Sequence, residues 1–185
     1  MKIIDKALNG VLLLEPAVFG DDRGYFFESF SEKKFAEISG NEIRFVQDNQ
    51  SMSARGVIRG LHLQAPPFDQ GKLVRVVQGS VIDVAVDIRK GSPTYGQHYS
   101  ALLSSKNHLM MWIPSGFAHG FSSLEDNTIF LYKCTNYYSK PSEMAIRFND
   151  PALGIDWKTE AREISPKDME APLFADFNSP FTYAG

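Results

Sequence analysis

The sequence predicts an all-β domain, a sandwich, jelly roll or barrel with a few short peripheral helices, and three observations carry that expectation. Runs rich in Val, Ile, Tyr and Phe recur at short intervals and are separated by Gly, Pro, Asn and Asp turns, which favours many short strands over a parallel α/β sheet. In one run Ile82, Val84, Val86 and Ile88 alternate with Val81, Asp83, Ala85 and Asp87, the period of a strand with one apolar and one mixed face. Helical patterns are confined to two brief segments.

Along the chain, "MKIIDKALNGVLLLEPAVFGDD" holds only a short apolar run, broken by Glu15 and Pro16, too short for a signal sequence or a membrane span. A cytoplasmic protein with no membrane partner is expected. "SEKKFAEISG" is a short helix, with Ser31 as N-cap and Gly40 as its stop. "GKLVRVVQGSVIDVAVDIRKGSPTYGQ" reads as a strand, a turn at Gln78 and Gly79, a second strand and a Gly/Ser/Pro connection. "HLMMWIPSGFAHGFSSLEDNTIFLYKCTNYY" holds further strands around a turn at 114–116 and another near Glu125 to Asn127. In "SPKDMEAP", Ser165 is a plausible N-cap, with Pro166 at the first helical position and Asp168 three after the cap.

A chain of 185 residues is long enough for a substantial core, and residues 1–185 are read as one domain. The net charge of -3 provides no basic footprint for nucleic acid, so any phosphate site must be local. Cys134 is the only cysteine, which excludes an intramolecular disulfide and a cysteine-cluster metal site and suits a small buried strand residue.

Four histidines in a β-rich chain invite a metal, but the His-x-His pair of a jelly-roll metal site is absent, because Gln64 follows His62 at that spacing. His98 and His108 fall in polar segments and are expected to be exposed, leaving His119 as at most one further ligand. No metal and no organic cofactor is therefore expected. No nucleophile elbow or Gly-rich phosphate loop is present either. What remains is acid-base chemistry, with His and Tyr moving protons and Lys and Arg holding anions.

"RGLHLQ" (59–64), "GKLVRVVQGSVIDVAVDIRKGSPTYG" (71–96), "WIPSGFAHGF" (112–121) and "LYKCTNYYSKPSE" (131–143) together resemble the dTDP-4-dehydrorhamnose 3,5-epimerases. The likeness extends from "FGDDRGYFFESF" (19–30) to "ISPKDMEAPLF" (164–174). It implies a cupin-type jelly roll, usually a homodimer, that works without metal or organic cofactor on the route from glucose-1-phosphate to dTDP-L-rhamnose. The implied substrate is dTDP-4-dehydro-6-deoxy-D-glucose, whose C4 ketone acidifies the hydrogens at C3 and C5. Inverting either carbon needs a base on one face, an acid on the other and positive charge near the C4 oxygen.

By this resemblance His62 is the base, Asp168 orients its imidazole, Tyr132 is the acid and Lys72 sits beside the C4 oxygen. An imidazole of ordinary pKa, about 6.5, is largely neutral near pH 7, and a phenol at about 10 is protonated. Each has a plainer reading. Asp168 could close a capping box with Ser165, Tyr132 could pack in the core with its hydroxyl satisfied, and Lys72 could be a solvated strand end. The resemblance further assigns Arg23, Arg59 and Lys167 to the diphosphate, polar contacts to Glu28, Gln47, Asn49, His119 and Glu143, and stacking on thymine to Tyr138. His119 could instead hydrogen-bond within the barrel mouth.

Two expectations test these assignments. If the strand after Thr128 runs on regularly, Phe130, Tyr132, Cys134, Asn136 and Tyr138 share a face, Tyr138 lies roughly 20 Å beyond Tyr132, and Tyr137 packs elsewhere. In a regular strand Arg59 and His62 point to opposite faces, so either a bulge intervenes near Gly60 or one of them serves another subunit. The segment "DDRGYFFESF" could likewise carry Arg23 and Glu28 across a dimer interface. Enzymes that invert one centre, or act on another dTDP-4-keto sugar, share the same groups, and a non-catalytic sugar-binding cupin is the alternative from another class. Leu63, where an aromatic residue is commoner in the family, is a small departure.

Overall fold

The computed structural model describes residues 1–184. Two antiparallel sheets face each other. One has six strands in the order β1 (Lys2–Ala7), β2 (Val11–Glu15), β10 (Met110–Ile113), β7 (Lys72–Gln78), β12 (Thr128–Cys134), β5 (Gln47–Ser53). The other has five, in the order β13 (Glu143–Ala145), β6 (Ile58–Gln64), β11 (Phe117–Ser123), β8 (Ser80–Asp87), β9 (His98–Ser104). A hairpin of β3 (Val18–Asp21) and β4 (Gly24–Phe27) stands apart. From β6 to β8, and again from β9 to β12, the chain passes back and forth between the sheets, which makes the sandwich the cupin-type jelly roll.

Alternating side chains sort into three cores. Val74, Val76, Met111, Ile113 and Phe130 of the six-stranded sheet meet Val81, Ala85, Leu103, Phe117 and Phe121 of the other between the sheets. The outer face of the five-stranded sheet is covered by the C-terminal chain, with Ile58, Leu61, Val84 and Val86 against Ile146, Phe148, Trp157 and Phe177. The outer face of the six-stranded sheet is covered by α1 (Glu32–Ser39), whose Phe35 is fully buried against Trp112, Leu14 and Met110. β8 is thus covered on both faces, and its mixed face, with Asp83 and Asp87 fully buried, points into the sandwich instead of to water.

Both helices begin as their N-cap residues direct, and the first also ends at a capping glycine. In α1 the Ser31 hydroxyl accepts from the Lys34 N–H at 3.4 Å, and Gly40 ends the helix at φ 74°, a conformation that favours glycine. In α2 (Pro166–Glu170) the Ser165 hydroxyl accepts from the Asp168 N–H at 3.1 Å. Among the described residues no helix is long and apolar enough to cross a membrane.

Candidate active site

At one end of the sandwich the inward-facing rows change from apolar to polar. On β7 Val76 and Val74 give way to Lys72, on β12 Phe130 gives way to Tyr132, and on β11 Phe121 gives way to His119. With His62 from β6 these side chains line a cavity of about 540 Å³.

The cavity depends on an irregularity in β6. His62 pairs with His119 and Arg59 with Phe121, so three steps along β6 match two along β11. The extra residue is a bulge, and it turns Arg59 and His62 to the same face. Of the two alternatives left by the sequence, this is the bulge near Gly60. Gly60 itself sits at φ 137° with the Gly120 Cα so close that an added Cβ would lie 2.5 Å from it, so only glycine fits.

His62 meets Asp168, brought to it by the short C-terminal helix, with Nε2 2.6 Å from Oδ1. The second carboxylate oxygen accepts from the Gly60 N–H at 3.4 Å. The capping box is therefore half made: Ser165 caps the helix, but the Asp168 carboxylate is turned to His62 and Gly60. Burial pushes Asp168 up, yet the His62 hydrogen bond and charge, with Gly60 and Ser165, outweigh it and hold the carboxyl below its usual range. An ionised carboxylate only accepts, so the His62 Nε2 carries a proton, and in the neutral imidazole the lone pair is on Nδ1. The His62 side chain is 34% exposed and the Asp168 side chain 4%.

Opposite, from the other sheet, stands Tyr132. Burial, and then Cys134, push its phenol up, against smaller downward effects of Arg59 and of a hydrogen bond from Asn49, its register partner on β5. The Lys72 Nζ lies 5.8 Å from the centroid of the Tyr132 ring. Lys72 is no solvated strand end; desolvation lowers its pKa, with only partial compensation from Cys134, Asp83 and Glu143. Cys134 is fully buried, as a small strand residue should be.

His119 is buried and its Nε2 lies 2.8 Å from Asp83 Oδ1. Asp83 was missed as a site residue, because the alternation of β8 identifies it only as one member of a mixed face. Desolvation pushes Asp83 up and His119 down.

At the cavity rim Arg59 donates from Nε to Ser53 Oγ at 3.2 Å and from Nη2 to the Met52 carbonyl at 3.3 Å. Lys167 forms an ion pair with Glu143, which also accepts from the Tyr138 hydroxyl at 3.0 Å. Gln47 accepts the Tyr138 N–H at 3.0 Å and donates to Asn49 at 3.1 Å. The expected route to Tyr138 requires correction: β12 ends at Cys134, and Tyr138 reaches the rim on irregular chain after the Thr135 N–H has bonded the Gly71 carbonyl. Tyr137 does not pack away but is 62% exposed. His98 is half-buried, and half-buried His108 lies against Tyr25 and Phe27, where exposure was expected.

Arg23 and Glu28 are not brought to this cavity. Arg23, at the turn of the β3–β4 hairpin, has a side chain 90% exposed and bonds Asp21, while Glu28 pairs with Lys34 at 2.9 Å. Phe19, Tyr25 and Phe26 on the same hairpin are 66%, 61% and 70% exposed. Among the described residues no three His, Cys, Asp or Glu side chains are grouped as a metal site would require.

Comparison with known proteins places this geometry in a family. The model of the dTDP-4-dehydrorhamnose 3,5-epimerases matches residues 5–176. The Salmonella typhimurium protein named dTDP-4-dehydrorhamnose 3,5-epimerase is 53% identical over 174 residues, covering 94% of this chain and 95% of its own. That of Pseudomonas aeruginosa is 52% identical, with 95% and 97% covered. A crystal structure of dTDP-6-deoxy-D-glucose-3,5-epimerase from Legionella pneumophila, in complex with dTDP-4-keto-L-rhamnose, superposes with a TM-score of 0.95 at 47% identity, covering 100% of this chain and 99% of that one. On its fold, its motifs and these matches over nearly its whole length, the chain belongs to the dTDP-4-dehydrorhamnose 3,5-epimerase family.

Proposed function

We propose that the cavity converts dTDP-4-dehydro-6-deoxy-D-glucose to dTDP-4-dehydro-L-rhamnose by inverting C3 and C5, with proton transfer between His62, Tyr132 and an enolate. The observation that carries this reading is the placement of His62 and Tyr132 on opposite sheets, lining one cavity with Lys72. His62 Nδ1 takes the proton next to the C4 ketone, while Asp168 keeps the Nε2 proton in place and stabilises the imidazolium. The electrons move into the C4 oxygen. A lysine held below its ordinary pKa by burial gains most from an anion beside it, which suits Lys72 to that oxygen. Tyr132, kept protonated by burial, donates from the other face; His62 then releases its proton to water and the Tyr132 phenolate takes one up before the second carbon reacts.

Arg59 and Lys167 supply cations for the diphosphate, with Tyr138 and Glu143 at the rim toward the base and Gln47, Asn49 and His119 as polar contacts. Arg23 and Glu28 act from a second copy of the chain. The exposed aromatic rings beside Arg23 support this, since a homodimer would cover them and carry the guanidinium into its partner's cavity. A nucleotide-sugar substrate is consistent with work in the cytoplasm, and none of the proposed steps calls for an organic cofactor or metal.

The test is deuterium uptake in D2O at C3 and C5, followed by NMR with metal-stripped protein and a downstream reductase to trap inverted product. Label at both carbons with trapped product is expected. Label at one carbon would replace this reading with a single-centre epimerase, and no label would leave a binding protein. Tyr132→Phe should retain label uptake while trapped product falls about 100-fold or more, because deprotonation precedes the step that needs the phenol.

A further inference from the structure

The β5 side of the cavity contains a hydroxyl with nothing to bond. Gln47, Asn49, Ser51 and Ser53 pair in register with Cys134, Tyr132, Phe130 and Thr128, so the four share the face that β12 turns into the sandwich. Ser53 accepts from Arg59, and Gln47 donates to Asn49, which in turn reaches the Cys134 sulfur at 3.5 Å. Ser51 lines the cavity, yet its Oγ is shut off from solvent and has no hydrogen-bond partner. Buried polar atoms without a partner are rare, and one at a ligand cavity is explained when the ligand supplies the partner.

Its position indicates which part of a ligand that would be. On one side of Ser51 is Ser53, which holds Arg59; on the other is Asn49, opposite Tyr132. Each lies two residues away, about 7 Å along the strand. Accepting the nucleotide-sugar reading above, Ser51 falls between the cation for the diphosphate and the group that moves protons. In a hexose joined to phosphate at C1 and reacting at C3 and C5, what lies between is the ring oxygen and C2 with its hydroxyl. Of these only the C2 hydroxyl both donates and accepts, as a serine does.

We propose that Ser51 is a specificity-determining residue whose hydroxyl hydrogen-bonds the 2-hydroxyl of the hexose. The residue is half-buried, so a turn of χ1 from one staggered well to another takes the oxygen from its closed position to the cavity.

The test is calorimetric binding of dTDP, dTDP-glucose and dTDP-2-deoxyglucose, the sugars lacking the C4 ketone and so binding without turnover. Wild type should bind dTDP-glucose about three- to tenfold more tightly than the 2-deoxy sugar, the size of one neutral hydrogen bond. Ser51→Ala should erase that preference and bind dTDP itself as wild type does, which also shows that the variant is folded. A Ser51→Ala protein that keeps the full preference overturns the inference, as does one that weakens dTDP equally, since the hydroxyl would then serve the phosphates or the fold. Wild type that binds none of the three overturns the nucleotide-sugar reading itself.

Discussion

His62–Asp168 and His119–Asp83 are the same chemical pair on adjacent strands, and the two histidines are themselves register partners. Their surroundings separate them. The His62 ring is one-third exposed at the cavity, and its carboxylate, bonded also by a backbone N–H, is held in the ionised form. The His119 ring and Asp83 are buried, one Asp83 oxygen has no partner, and desolvation works against charge on both groups. An imidazole can cycle a proton only where its charged form is stabilised and its free nitrogen can be reached. The first pair meets those conditions, and the second is better suited to shape the wall and present a fixed hydrogen-bonding edge.

The largest expected effect tests the first pair. His62→Ala should lower kcat by about 10²–10⁴, the contribution of a positioned base, and label uptake at C3 and C5 should fall together. Thermal stability should fall as well, because the Asp168 carboxylate that loses its partner is itself buried and keeps only the Gly60 N–H and Ser165. His119→Ala should leave proton exchange close to that of wild type while costing about 1–3 kcal/mol in urea unfolding, because it takes the hydrogen-bond partner from the buried Asp83. A stable His119→Ala protein that had lost proton exchange would reverse the two roles.

These pairs also mark what could be read from the sequence. Strands with strong alternation, such as Val81–Ile88, and turns at Gln78–Gly79 and Pro114–Gly116 stood out because apolar period and turn chemistry agree there. β5 did not, since "QDNQSMS" has no apolar period: as an edge strand it turns the polar Gln47, Asn49, Ser51 and Ser53 to the inside of the sandwich and leaves Asp48, Gln50 and Met52 exposed. Asp83 was hidden for a related reason, as nothing local tells a carboxylate inside a barrel from one in water. His62, Tyr132, Lys72 and Asp168 were legible through motif resemblance, but the bulge that turns Arg59 beside His62 depends on the contact of Gly60 with Gly120, which are distant in the chain. Tyr138 was placed on an extended strand that in fact stops at Cys134, because local β-propensity does not register the loss of a pairing partner.

Asp168→Asn should have a smaller effect than loss of the base, about 10–100-fold in kcat, because the amide can still touch Nε2 but does not fix the tautomer or stabilise the imidazolium. Smallest, and most discriminating, is the dependence of stability on acid. The folded pKa of Asp168 is depressed, so its stabilisation is complete above the unfolded value of about 3.9 and is lost as pH falls through the folded one. The folded pKa of Asp83 is raised, so the folded state binds the extra proton, and stability is lost as pH rises from about 3.9 toward that higher value. Urea unfolding from pH 3 to pH 6 should therefore show the advantage of wild type over Asp168→Asn growing with pH, and its standing against Asp83→Asn declining over the same range. Slopes of the same sign would mean that the two carboxylates share one electrostatic environment, and the division of labour between the pairs would have to be abandoned.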